Sequence, residues 1–245
     1  MKVLSKLCLT LITFTVMTAC DLDPSSTDTA RSKELYLDAE VSFSDIETSI
    51  RVGMLDSAGD RLGFSDEDKM FAETDDRRVE LTLSKKFGPL PRYNFVGILD
   101  LIGEGDRVVL EYHRASGRVL TSVGYGPSSF ELTVTPDIYP RRFSRADGVQ
   151  ILLDNADERF QTDLELSTFC DGMSETETVT VVLDPSETTY QIGAAQLIGS
   201  GALDNAECGT ALKVSRISFG EVDSRFGGGE MRLAFKRRAS LSSTP

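Results

Sequence analysis

The sequence predicts an all-β protein, two antiparallel β-sandwiches in tandem. Three observations carry that reading. Apolar residues recur at every second position in one short run after another, the period of a half-buried strand. Turn-forming residues separate these runs. Beyond residue 20 no stretch spaces its apolar residues by three and four, so no amphipathic helix is expected. The 40% hydrophobic and 8% aromatic content is ordinary for a globular chain.

The first element is residues 1–19. Lys2 and Lys6 precede an apolar stretch from Leu7 to Val16, and small residues then lead to Cys20. This is the layout of a secretory signal peptide. The apolar stretch is too short to cross a bilayer core of ~30 Å at 1.5 Å per residue. The run Val16-Met17-Thr18-Ala19-Cys20 resembles the lipobox of bacterial lipoproteins, with Val16 or Met17 standing where that family most often has leucine. The resemblance covers Met1 to Asp21 and implies cleavage after Ala19 with three acyl chains on Cys20. At ~0.8 kcal/mol per buried methylene, more than one chain makes a stable membrane anchor. Asp21 resembles the residue that retains enteric lipoproteins in the inner membrane, a rule that does not hold in all bacteria, so inner and outer membrane both stay open. An ordinary cleaved signal with Cys20 incidental is the plainer alternative.

Residues 20–33 follow as lipidated cysteine and tether. Asp21 to Ser32 is small, polar and nearly free of apolar residues, too poor in burial to order itself. Extended, these residues would reach about 40 Å. Residues 34–136 read as the first sandwich. Leu35, Leu37, Ala39, Val41 and Phe43 alternate with Glu34, Tyr36, Asp38, Glu40 and Ser42, and the pattern recurs in Ile50-Val52-Met54, Val79-Leu81-Leu83, Phe95-Gly97-Leu99-Leu101, Val108-Leu110-Tyr112 and Phe130-Leu132-Val134. Turns are expected at Ser57–Asp60, Gly88–Pro91, Gly103–Asp106 and Ser116-Gly117. Pro136 and Pro140 break the pattern and suggest a boundary. Residues 137–245 read as the second sandwich, with strands through Val149–Leu153, Leu164-Leu166, Val179–Leu183, Leu212-Val214, Ile217–Phe219 and Met231–Phe235. The apolar phase slips between Val214 and Ile217, which suggests a bulge at Ser215-Arg216. Gly227-Gly228-Gly229 reads as a flexible hairpin loop.

Layout, tether, the paired Gly-Asp-Arg turns at Gly59–Arg61 and Gly105–Arg107 and a cysteine pair resemble tandem immunoglobulin-like lipoproteins of Gram-negative bacteria that have no assigned activity. The chain has no Trp, so only the architecture of that fold is implied. One larger single sandwich is the structural alternative.

Cleavage after residue 19 removes two lysines and leaves 24 basic against 39 acidic residues, a formal charge of −15 against −13 for the whole chain. Such a chain repels phosphate backbones and anionic lipid headgroups, so nucleic acid is not an expected partner. Of four cysteines, Cys8 leaves with the signal and Cys20 takes the lipid. Cys170 and Cys208 remain as an even pair outside the cytoplasm, which favours a disulfide over a metal site. It would close a loop of about 39 residues and contribute on the order of 4 kcal/mol.

Recognisable catalytic patterns are missing. His113 is the only histidine, on a strand face with Val109 and Glu111. There is no Gly-x-Ser-x-Gly, no His-Glu-x-x-His and no phosphate-cradling Gly-x4-Gly-Lys. The chain is therefore not expected to be an enzyme; a glycosidase-like envelope hydrolase using a carboxylate pair is the alternative. No cofactor is required. Asp154, Asn155, Asp157 and Glu158 gather hard oxygen ligands as a calcium site would, although a hairpin turn needs the same residues. The basic groups Arg141-Arg142 with Arg145, and Lys236-Arg237-Arg238, read as solvated strand ends. The expected function is a lipid-anchored, non-catalytic binding or scaffold module of the cell envelope. Its partners would be the membrane and an envelope protein or other envelope component, met through loops or sheet edges.

Overall fold

The computed structural model describes residues 26–27, 30–44, 46–86, 92–100, 103–135, 142–199, 202 and 205–245. The signal segment, Cys20, Asp21, the Gly88–Pro91 turn and the Pro136–Pro140 boundary lie outside these residues. In chain order the strands are β1 (Tyr36–Phe43), β2 (Thr48–Leu55), β3 (Lys69–Glu73), β4 (Arg78–Glu80), β5 (Thr82–Lys86), β6 (Arg92–Leu99), β7 (Arg107–His113) and β8 (Val119–Tyr125). They continue with β9 (Leu132–Thr135), β10 (Arg142–Ser144), β11 (Val149–Leu153), β12 (Gln161–Cys170), β13 (Glu177–Leu183), β14 (Thr189–Ile192), β15 (Cys208–Phe219) and β16 (Gly228–Thr244).

The all-β expectation holds: three sheets account for all sixteen strands. One is a nine-stranded base in the order β13-β12-β15-β16-β1-β2-β6-β5, with β10 also pairing β16. A four-stranded sheet, β4-β3-β7-β8, and a three-stranded sheet, β14-β11-β9, supply the opposing layers. The alternation read from sequence turns alternate apolar side chains to the core, as in the buried-intermediate repeat along β1. The turn glycines Gly59, Gly105 and Gly117 take φ of +87°, +77° and +79°, backbone that only glycine adopts freely.

The two cores lie on the same face of the base sheet. Opposed residues of neighbouring strands share a face, and Ala39 opposes Met231, Val41 opposes Leu233 and Thr210 opposes Leu241. Met231 and Leu233 enter the first core, Ala239 and Leu241 pack in the second, and Phe235 touches both. At 17 residues, β16 is about 55 Å long, long enough to run beneath both.

Several expectations need correction. The pairing is not purely antiparallel, because β16 runs parallel to β1 and to β10. The chain's last strand thereby closes against its first. Gly227-Gly228-Gly229 is not simply a loop, since Gly228 and Gly229 open β16. A Cβ at Gly229 would lie 2.2 Å from the Leu37 carbonyl oxygen and one at Gly227 would lie 2.3 Å from that of Lys33, so the glycines let the two strands approach. No bulge occurs at Ser215-Arg216, where β15 stays in unbroken register with both neighbours. The phase slips because Arg216, 1% exposed, occupies an inward place where an apolar residue was expected. The run Val79–Leu83 is two strands. Leu81, buried at the step between them, marks where the chain passes from the four-stranded sheet to the base. Phe130 and Val134 already belong to the second core, so the chain crosses between cores before Pro136.

Candidate functional site

The clearest departure from the sequence reading lies at the amino-terminal end. Residues 26–33 were expected to belong to a free tether, yet Ser26 bridges Gly63 and Thr27 and Ser32 are buried. Two buried charged residues hold them. The Asp68 carboxylate accepts the Thr27 hydroxyl at 2.6 Å, the Tyr112 hydroxyl at 2.7 Å and the amides of Ser65 and Ala115 at 3.1 and 3.0 Å. Arg114 donates to the carbonyls of Thr27 and Ala30 at 2.6 and 2.7 Å and to the Ser32 hydroxyl at 3.1 Å. Small polar residues that could not order themselves are ordered by these partners. Burial, with the Asp68 charge adding to it, pushes the Tyr112 phenol above its ordinary pKa.

Docking this segment shapes a half-open depression of about 940 Å³, with Arg31, Lys33, Arg114, Arg118 and Arg225 in its lining against one carboxylate, Glu34. Arg31 and Lys33 come from the short 3-10 turn before β1, Arg118 from the β7–β8 turn, and Arg225 from the β15–β16 loop. Glu34 is engaged by the Arg31 amide at 2.8 Å. Arg225 pairs with Asp223 at 2.5 Å and holds that carboxyl below the usual range. Arg31, Lys33 and Arg118 are exposed and make no ion pair among the described residues. Sequence reading missed this group because its members are scattered from residue 31 to residue 225 and form no local run.

The residues singled out in sequence fall elsewhere. The expected disulfide is present: Cys170 and Cys208 sit directly opposite at the β12–β15 end, Cα atoms 4.0 Å apart. His113 lies against Phe71, and its Nε2 is 3.1 Å from Glu111 and 3.5 Å from Arg78. The His113 and Arg78 contacts hold the Glu111 carboxyl below its ordinary pKa. Asp75, Asp76, Asp100 and Asp106 line a small depression in which Asp100 pairs with Arg77 and Asp106 accepts the Gly103 amide at 2.6 Å.

In the calcium-like loop, arginines stand where a cation was considered. The Asn155 side-chain oxygen accepts from Arg216 at 2.6 Å, and Asp157 accepts from Arg159 at 2.7 Å and from the Ser128 hydroxyl at 2.8 Å. The Arg159 bond holds Asp157 well below the carboxylate range. Asp154 accepts the Glu131 amide, and Glu158 is exposed. Among the described residues no group of three or more His, Cys, Asp or Glu could hold a metal ion. Arg145, read as solvated, is instead buried and donates to the Ala206 carbonyl at 2.8 Å.

The outer face of the base sheet carries cross-strand ion pairs, Glu165–Lys213 at 2.6 Å, Asp163–Arg232 at 3.0 Å and Glu40–Arg51 at 2.9 Å. Burial alone would raise the Glu40 pKa; its bond to Lys236, with Arg51 and Arg232 nearby, outweighs that and lowers it. At the sheet's end, β13 pairs with β12 alone among the described strands and bears no charge from Thr178 to Leu183. Val182 on it is 65% exposed.

The sequence matches no family model and no curated protein. Among solved structures it is similar to chicken CNTN1 FN1-FN3 domains, with 12% identity and a TM-score of 0.30 over 91% of this chain and 69% of that one. A Salmonella alpha-2-macroglobulin mutant gives 11% and 0.31 over 88% of this chain and 15% of that one. DIP-gamma IG1+IG2 gives 9% and 0.23 over 86% and 98%. Scores this low establish no common fold, and the all-β assignment stands on the chain's own sheets.

Proposed function

We propose that this chain is a membrane-anchored lipoprotein of the bacterial cell envelope that works as a non-catalytic binding or scaffold module. Its two cores are read as two immunoglobulin-like units on a shared base sheet. The observation that carries the reading is Cys20, standing at the end of a charged, then apolar, then small-residue segment. A disulfide between Cys170 and Cys208 is in keeping with an oxidising compartment. A non-catalytic role is supported by the missing nucleophile and metal motifs in the sequence. The partner is an envelope protein or other envelope component, and the uncharged β13 edge offers one surface for it, since an unpaired strand can accept another.

Cys20→Ser tests the anchor. The variant is expected to leave the membrane fraction and to lose palmitate label. A variant as firmly membrane-bound and as strongly labelled as the parent sinks the lipoprotein reading.

A further inference from the structure

Docking of Ser26, Thr27, Ala30 and Ser32 changes how the molecule would stand on a membrane. Only five residues, Asp21 to Ser25, separate Cys20 from Ser26, where the chain joins the body. Five residues reach no more than about 20 Å, half the span of a free tether to Ser32. The basic depression lies at that same end: Arg31 and Lys33 directly follow the docked residues, and Arg118 lines it beside them. Resting on the lipoprotein reading, we propose that this depression seats anionic phospholipid headgroups and holds the first sandwich flush on the membrane with its amino-terminal end down.

Charge distribution favours that orientation even when nearby acids are counted. Asp21, Asp23 and Asp28, which adjoin this end in sequence, with Glu34, Asp68 and Asp223 make six carboxylates against the five cations Arg31, Lys33, Arg114, Arg118 and Arg225, a balance of −1. The rest of the cleaved chain carries the remaining −14 of its −15. An anionic surface repels the molecule as a whole more than it repels this end. Arg31, Lys33 and Arg118, exposed and without ion pairs among the described residues, are the groups best placed to meet lipid phosphates.

The test uses the lipidated chain reconstituted in phosphatidylglycerol or phosphatidylcholine vesicles. With Cys20 acylated and Cys170 bonded to Cys208, a fluorophore can be placed on Ser57→Cys, exposed in the turn after β2 at the end where β1 begins, or on Ser186→Cys beyond β13. Energy transfer to a headgroup-labelled lipid is expected to be stronger from position 57 than from 186. It should also be stronger from 57 on phosphatidylglycerol than on phosphatidylcholine. The triple variant Arg31→Glu, Lys33→Glu, Arg118→Glu is expected to abolish the lipid preference, and Arg118→Glu alone to reduce it; all three sites are exposed, so folding is spared. Equal transfer on both lipids, unmoved by these variants, overturns the proposal. Abolition of transfer by millimolar inorganic phosphate at constant ionic strength would assign the depression to a free anion and overturn it too. If the parent carries no palmitate, the lipoprotein reading alone has failed. The surface is then judged on the same chain by co-sedimentation at low salt. There the triple variant is expected to bind phosphatidylglycerol about a hundredfold more weakly or worse, and unchanged binding overturns the proposal.

Discussion

The two cores share one face of one sheet, yet they are closed by different means. The first is closed by distant parts of the chain: β16 comes back beside β1, and Thr27, Ala30 and Ser32 dock on Arg114 and Asp68. The second is smaller and is braced by Cys170–Cys208 at one end. Between them Arg216 donates to the Ser128 hydroxyl, the Ser129 carbonyl and both oxygens of Asn155, and lies 5.0 Å from the Phe130 ring centre. Residues 126–131 join β8 to β9, so Arg216 fixes the chain where it crosses from one covering sheet to the other. Buried arginines therefore stand where irregular backbone must be held: their several donors satisfy carbonyls that no strand pairs.

The sharpest way to break the comparison is Arg216→Ala. It leaves buried carbonyls and the Asn155 side chain without a donor, and at about 1–3 kcal/mol for each acceptor left unsatisfied a total loss of about 3–5 kcal/mol is expected. Chemical denaturation is expected to show a lower midpoint, with the second core melting ahead of the first. A single, unshifted transition would mean that β16 alone couples the cores. Arg114→Ala should cost somewhat less, about 2–4 kcal/mol, and act on the first core. Hydrogen exchange should then rise at Glu34 and Leu35, whose amides bond back to Arg31 and Ser32; protection equal to the parent's would show that Asp68 suffices to hold the segment.

Cys170→Ser sharpens the contrast from the other side. Beside it β12 and β15 already pair over ten residues, so the bond adds to an existing ladder and its loss should cost about 2–3 kcal/mol, the low end for a disulfide. Proteolysis should open residues 171–207 first and leave the first core intact. Simultaneous cleavage in both cores would contradict a division of labour between them.

Much of the layering was legible because strand period and turn chemistry are local. Leu35 to Phe43 alternate as a half-buried strand must, and Gly59, Gly105 and Gly117 sit in the left-handed backbone their turns need. The cysteine pair was legible from parity and compartment. Pairing between distant segments was not. Nothing near Met231 announces that β16 lies parallel to β1, and nothing near Ser26 announces Asp68 and Arg114 some 40 and 90 residues on. The polarity of Asp21 to Ser32 suggests a free tether, and at Thr27, Ala30 and Ser32 tertiary hydrogen bonds override it. Arg216 misled for the same reason: a charge in an apolar phase looks like a bulge until its partners, more than 60 residues away, are known.

The smallest effect expected is in acid. Asp157 has its pKa lowered in the folded chain, chiefly by Arg159 and then by Ser128. A group with a depressed folded pKa contributes stability above its unfolded pKa of ~3.9, and that stability is lost as pH falls further toward the folded value. The second core should therefore weaken progressively below about pH 4, in the range where the unfolded carboxyl takes up its proton first. Asp157→Asn should flatten that dependence while lowering stability modestly at neutral pH, because an amide keeps a bond to Ser128 but loses the charge facing Arg159. Asp223, held down by Arg225 beside the first core, gives the matched control. Asp223→Asn should flatten the acid response of the first core and leave that of the second unchanged. Equilibrium unfolding between pH 2.5 and 7, read with one probe in each core, separates the two. If either variant alters both cores equally, their ion pairs are coupled through β16, and the two cores titrate as one body.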